Sequence, residues 1–328
     1  MMGWTFKINH YDGGMKDWTA RIGTVSWSES VDQLGSEFTF TVPFSKWDDR
    51  FDGHKIKCGD IFIIYKGKTI WNVGIITETP INGSEYKGYD FAWYLNQSET
   101  IMQFKKIRAD KAIEQICNKF GVPIGALPKM ATTIKKVYKD VSPAEIIKDI
   151  LDKVENETDK NLYVEMYKGQ LCVRVASAKN SHIKPTFKDE LGRTIPCTNS
   201  AEIEGTKSIE ELRNYVVYAN SGDKKKGIKG IAKSEKSINR YGMLSVVETK
   251  DKLTSAKARQ YAKNKLKKLN KVTVTFNVRM RGAIGIKPHR RIYFEKTGYN
   301  IKGWYKVKSV THTIDNGMHI VEMEMSNK

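Results

Sequence analysis

The clearest two-residue alternation in the chain lies in its last third, in GWYKVKSVTHTIDNGMHIVEMEM (303–325). Asn316-Gly317 interrupts it, and a two-residue type I′ turn demands positive φ at both central positions, which this dipeptide tolerates. Folding there sets Ile314 opposite His319, His312 opposite Val321 and Val310 opposite Met323. One face then carries Val310, His312, Ile314, Val321, Met323 and Met325. The other carries Ser309, Thr311, Thr313, Glu322 and Glu324, the split expected of a half-buried antiparallel pair. Upstream, the pattern predicts strands over YGMLSVVE (241–248), VTVTFNVRM (272–280) and RRIYFEK (290–296). Between the first two it predicts a helix over 251–270, with Ala258, Ala262, Leu266 and Leu269 on one face.

The first 98 residues read as all β. WTFKI (4–8), RIGTVSWSES (21–30) and EFTFTVP (37–43) are short β-rich runs, and residues 58–80 form two apolar strands around Lys66-Gly67-Lys68. Many short strands with Gly-rich turns predict a small barrel or sandwich. Trp27, Trp71, Trp93 and Tyr94 stand beside other apolar residues, which favours core or interface packing over a base-stacking platform.

The period changes after residue 100. ADKAIEQICNKFGV (109–122) spaces Ala112, Ile113, Ile116, Cys117 and Phe120 as a helix, with Gly121 at the C-cap position. A second helix starts at Ser142, with Pro143 first and Glu145 third, the residues of a capping box. Its buried stripe is Ile146, Ile147, Ile150, Leu151 and Val154, and NLYVEMYKGQLCVRVAS (161–177) then folds as a hairpin around Lys168-Gly169. RNYVVYA (213–219) returns to strand, and residues 222–242 predict a basic, Gly-rich hairpin or loop. The sequence therefore predicts an α+β, mainly β chain: a β domain over 1–98, an α+β insert over 99–200, and a second β domain over 201–328 that holds the basic loop 222–242 and the helix 251–270.

Charge changes this picture. Of the formal net charge of +19, residues 221–290 supply +16, from 20 Lys or Arg against 4 Asp or Glu. Such concentration calls for an acidic partner or a polyanion. The candidate docking patch is Lys224, Lys225, Lys226, Lys229, Lys263, Lys267 and Lys268. A basic amphipathic helix can also lie on a membrane, but small Ala residues dominate its apolar face and argue against that. No run approaches the roughly 20 apolar residues of a membrane span, and the first residues lack the three parts of a signal peptide. The protein is therefore expected to be made and kept in the cytoplasm, or released by lysis.

Catalytic chemistry finds little support. The sequence has no HExxH, GxSxG or Walker A motif. Glu145, Glu155, Glu157 and Asp159 fall on or just after a solvated helix face, with nothing to mark a glycosidase cleft. Cys58, Cys117, Cys172 and Cys197 are scattered, which predicts neither zinc nor disulfides. His312 and His319 sit diagonally across the terminal hairpin without an acidic or thiol partner, so a structural role is expected rather than a metal site. Neither cofactor nor small-molecule substrate is expected.

The order of segments carries a resemblance. Gly59-Asp60 followed by Trp71 to Gly74, then YDFAWYLN (89–96), IEQICNKFGVPIG (113–125), SPAEIIKDILDKV (142–154), SIEELRNYVVYA (208–219), INRYGMLSVVE (238–248) and the terminal VTHTIDNG hairpin resemble the XkdQ/YqbQ family of PBSX-type prophage tail proteins. The resemblance covers nearly the whole chain. It implies two tail-tube-like β-barrels per subunit and a homotrimer, whose pseudo-sixfold ring is the baseplate hub of a contractile tail or tail-like bacteriocin. The implied partners are the tail tube protein, the central spike protein, the tape-measure protein and other baseplate proteins, with DNA only as passing cargo. The alternative from the residues alone is a basic nucleic-acid-binding protein acting through 221–290. Lysine outnumbers arginine there, which favours diffuse phosphate attraction over base reading.

Overall fold

The computed structural model describes residues 3–45, 47–48, 55–158, 160–177, 181–220, 227–250, 254–283 and 285–327, with residues 228 and 229 described by their backbone alone. Three aromatic and aliphatic side chains of β1 (Trp4–His10), namely Trp4, Phe6 and Ile8, alternate inward and open the first core. The strand is flanked by β2 (Gly14–Asp17). β3 (Val25–Ser30) and β4 (Ser36–Thr41) follow the same rule, with Val25 and Trp27 facing Phe38 and Phe40 from the buried side. β5 (Ile61–Lys66) and β6 (Thr69–Glu78) make a hairpin, and β7 (Glu85–Asp90) pairs with both β6 and β4. Here Phe38 requires glycine on two neighbours. A Cβ on Gly88 would stand 2.4 Å from the Phe38 ring, and one on Gly74 2.5 Å.

A short helix, α1 (Trp93–Gln97), leads into an α+β layer. β8 (Thr100–Arg108) and β9 (Thr133–Val141) pair antiparallel, and α2 (Ala109–Lys119) and α3 (Pro143–Thr158) pack against them. The spacing predicts the buried stripe Ile146, Ile147, Ile150, Leu151 and Val154 on α3, and on α2 it predicts Ala112, Ile113, Ile116 and Cys117, which are buried, and Phe120, which falls at the C-cap and is half-buried. Gly121 takes φ +67, as a residue closing α2 should. The capping box forms in full. Glu145 N donates to Ser142 Oγ at 3.2 Å, and Ser142 N donates to Glu145 Oε2 at 3.2 Å. β10 (Leu162–Tyr167) and β11 (Gln170–Val175) turn at Lys168 and Gly169, both with positive φ. β12 (His182–Ile183), β13 (Thr186–Lys188) and β14 (Thr194–Pro196) complete this stretch.

Two compact units make up the fold. One comprises residues 1–202 and 278–324, the other 203–277 and 325–328. The second unit starts in β15 (Glu202–Ser208). Its centre is β16 (Tyr215–Asn220), paired antiparallel with β17 (Ile228–Lys233) and parallel with β18 (Ser245–Lys250). The basic stretch is therefore part hairpin. Beyond it stands a helix that the sequence reading passes over, α4 (Glu235–Tyr241). Fully buried Asn214 holds the exit from α4. Its Nδ2 donates to Gly242 O at 2.7 Å, and its Oδ1 accepts from Leu244 N at 2.8 Å. α5 (Ser255–Leu269) lies over β16 and β17, with Ala258 and Ala262 buried against Val216, Tyr218 and Ala232. Gly230 makes this approach possible, since a Cβ there would stand 2.5 Å from the α5 backbone.

β19 (Thr273–Arg281), β20 (Arg291–Lys296), β21 (Ile301–Asp315) and β22 (Met318–Ser326) complete the chain's strands. Asn316 and Gly317 take φ 47 and 78, as the type I′ turn requires. Val310, His312, Ile314, Val321, Met323 and Met325 are buried, while Glu322 and Glu324 are exposed. β21 then pairs with β3 from Ser309↔Ser30 to Ile314↔Val25, so the terminal hairpin continues the sheet of the first β segment. Replacing Val310 with Asp places a charge on that face, where the valine is 1% exposed. We expect V310D to cost about 3 kcal/mol or more of unfolding free energy, read as a lower urea midpoint. An unchanged midpoint would contradict the burial of this face.

Candidate functional site

The predicted docking patch is partly placed by the structure. Lys224, Lys225 and Lys226 lie outside the described residues, and only the backbone of Lys229 is described, in β17. Lys263, Lys267 and Lys268 stand exposed on α5 together with Lys257 and Arg259. Lys265 differs, because it turns to Glu248 on β18 at 2.8 Å. The side chains that would have suggested an amphipathic membrane helix are thus small and consumed by packing, and the lysines line the solvent side.

The groups weighed for catalysis are engaged in structure. Glu145 closes the capping box, Glu155 accepts from Leu162 N, and Glu157 pairs with Lys153 at 3.9 Å. Asp159 lies outside the described residues. Burial pushes the Cys117 thiol up to about 12 and the Cys197 thiol up to about 11, which removes their nucleophilic form at neutral pH. Cys172 Sγ accepts from Ala126 N at 3.2 Å, and Cys58 donates to Thr77 O at 3.3 Å. His10 Nδ1 donates to Asp60 at 2.8 Å, an arrangement that resembles half of a triad. However, the opposite ring nitrogen, the one a general base would use, accepts from Trp18 Nε1 at 3.3 Å.

His312 and His319 form the most organised polar pair in the first unit. His312 is fully buried, and its Nε2 lies 3.0 Å from Ile286 O. A carbonyl only accepts, so Nε2 carries the proton and Nδ1 is the acceptor. His319 Nε2 therefore donates to His312 Nδ1, at 2.9 Å. Trp27 stacks on His312 with ring centres 4.7 Å apart and planes 7° apart, and Trp4 meets His319 edge-on at 5.3 Å. Burial holds His312 well below the ordinary imidazole value, and holds His319 at about 4. Among the described residues no group of three or more metal-ligating side chains comes together. The pair joins strand to strand.

Beside it lies a buried ionic junction that the sequence reading missed. Lys287 Nζ donates to Glu29 Oε1 at 2.7 Å and to Met166 O at 3.1 Å, and stands 5.7 Å from the centre of the Trp71 ring. Glu165 is held by Arg174 and Arg290, each at 2.8 Å. Asp90, also buried, accepts from Ser36 N, Ser36 Oγ and Ala92 N, yet burial pushes its carboxyl up to about 7. A cavity of about 30 Å³ adjoins Glu29, Asp90, Glu165 and Lys287. That is room enough to hold a water molecule. The alternation of EYKGYD already puts Asp90 on the face of Tyr86 and Gly88, so this residue was legible.

With this geometry in hand, comparison with known proteins decides the kinship. Residues 25–326 match the family described as YQBQ-like. The chain belongs to that family. It is 23% identical over 281 residues to the phage-like element PBSX protein XkdQ of Bacillus subtilis strain 168, covering 84% of this chain and 83% of that protein. Among solved structures, the 43 kDa tail protein of prophage MuSo2 from Shewanella oneidensis superposes with a TM-score of 0.67 at 9% identity, covering 98% of both chains. The tail protein from Neisseria meningitidis MC58 gives 0.65 at 12% identity, covering 99% of this chain and 97% of that one. At these identities the likeness is one of fold.

The histidines set an acid limit on stability. Each of His289, His312 and His319 has a folded value below the unfolded value of about 6.5. Between those values the unfolded chain binds the extra proton, so their contribution is complete above about pH 6.5 and is lost as pH falls toward 4. Asp90, raised in the fold, acts in the opposite sense over the same window, as one group against three. We expect the melting temperature to fall on acidification from pH 7 to 4, and H319Q to show a shallower fall, because glutamine keeps a donor and does not titrate. Equal slopes would remove His319 from this account.

Proposed function

We propose that the chain is a structural protein of a contractile phage-type tail and acts by assembly. In this reading it is the baseplate hub, a homotrimer forming a pseudo-sixfold ring that joins the sixfold tail tube to the threefold central spike. Two tube-like β-barrel domains, residues 1–98 and 201–328, would flank the α+β insert, residues 99–200. The observation that carries the reading is the full-length match of fold to a prophage tail protein, over 98% of both chains, in a member of the YQBQ-like family. The antiparallel pairing of β21 with β3 supports it, because it joins strands of the two β segments in one sheet. The expected partners are the tube, spike and tape-measure proteins and neighbouring baseplate proteins, and the expected location is the tail particle. No helix among the described residues is long and apolar enough to cross a membrane.

The competing reading is nucleic-acid binding through the exposed lysines of α5. Phosphate attraction of that kind falls steeply with salt. In the hub reading the same lysines face an acidic neighbour, and charge complementarity sets the speed and register of docking more than its affinity.

Two measurements separate these readings. Light scattering with negative-stain imaging of the same peak should give three subunit masses and a ring with an open centre. A monomer that stays monomeric when the spike protein is added would overturn the hub. Reversing Lys263, Lys267 and Lys268 to Glu, or deleting 224–226, should leave the subunit folded and lower the yield of complete sheathed particles. Wild-type yields from both variants would remove the patch from assembly.

A further inference from the structure

At the turn end of the terminal hairpin, four separate stretches of chain meet around a groove of about 720 Å³. Lys66 comes from the end of β5, Lys184 and Lys188 from the segment holding β12 and β13, and Arg281 from the end of β19. Trp4, Phe187 and Met318 supply its apolar surface. Among the described residues no Asp or Glu lines it. Lys184 and Lys188 are exposed and make no ion pair with a described residue. His319, which also lines the groove, reports the same field: after burial, the charges of Lys66 and Arg281 are what lower its proton affinity.

We propose that this groove binds an extended acidic segment of a partner protein, one whose carboxylates alternate with apolar side chains. The volume lies within the roughly 300–1,000 Å³ of ligand clefts, enough for a short stretch of peptide. Four cations on one groove, of which Lys184 and Lys188 make no ion pair with a described residue, favour an anionic occupant. The aromatic rings decide between a peptide and a nucleic acid. Lys66 Nζ stands 4.5 Å from the centre of the Trp4 ring, and Arg281 Cζ stands 5.4 Å from that of Phe187. Cations therefore cap faces that bases would need for stacking. Carboxylates reach those same cations without displacing them, and the exposed Met318 offers an apolar contact in the same groove. Gly282 keeps the groove open beside His319, where a Cβ would stand 2.6 Å from the imidazole. The surface is distinct from the lysines of α5 and does not depend on the hub reading.

The test uses the full chain and a fluorescein-labelled peptide of alternating Glu and Val, read by anisotropy at low salt. The K184E/K188E variant should bind it at least tenfold more weakly. Reversal of Lys263, Lys267 and Lys268 should leave binding within twofold. An oligo-dT of equal charge should fail to displace the peptide. Thermal melts of both variants establish that they fold. Unchanged binding in K184E/K188E, no binding by the wild type, equal loss on reversing the α5 lysines, or displacement by oligo-dT would each overturn the proposal.

Discussion

The pairing of β21 with β3 is the constraint on which the first unit depends. It joins residues 25–30 to residues 309–314, almost the full length of the chain apart. Bringing such distant segments together costs loop entropy that grows only slowly with length. The return is specific. Ile314 completes the core built by Trp4, Phe6, Trp27, Phe38 and Phe62, and His312 stacks on Trp27 from the neighbouring strand. A one-residue slip would turn Val310, His312 and Ile314 outward together, so the register is held by every inward residue at once.

Polar groups reinforce this register instead of opposing it. Buried polar atoms are costly unless paired. Here Ile286 O fixes the tautomer of His312, and His312 in turn orients His319. Lys287, one residue after Ile286, ties Glu29 on β3 to the carbonyl of Met166 on β10. A buried ion pair of this kind contributes little net stability but rejects arrangements that separate its members. The short segment 286–290 thus links the first β segment, the α+β layer and the terminal hairpin through the Ile286 carbonyl and the side chains of Lys287 and Arg290.

Legibility in the sequence followed locality. The terminal turn, the capping box at Ser142 and the closing glycine of α2 each depend on residues a few positions apart, and all three are present. The pair β8 and β9 was not read, because its register is broken near Lys106 and Asp140, both with positive φ, and the alternation breaks with it. α4 was hidden by its charge, since a seven-residue helix in a lysine-rich stretch has too few apolar positions to show a period. The α5 lysines were legible as a group because one helix carries them. The cations of the hairpin-end groove were not, because Lys66, Lys184, Lys188 and Arg281 are neighbours only after the chain has folded. Lys287 offered a faint signal, a lone charge between Ile286 and Pro288.

The distance between β3 and its partner strand also has a consequence for biosynthesis. A ribosome releases β3 long before residues 301–315 exist. Through that interval β3 presents an open edge with Trp27 on its inner face, and an unpaired edge is a template for pairing with other chains. The α+β layer, whose strands and helices are close in sequence, can form meanwhile. Premature termination would leave the edge open for good. Only a chain translated through residues 301–315 can pair that edge, so the topology makes the first core wait for the last strands.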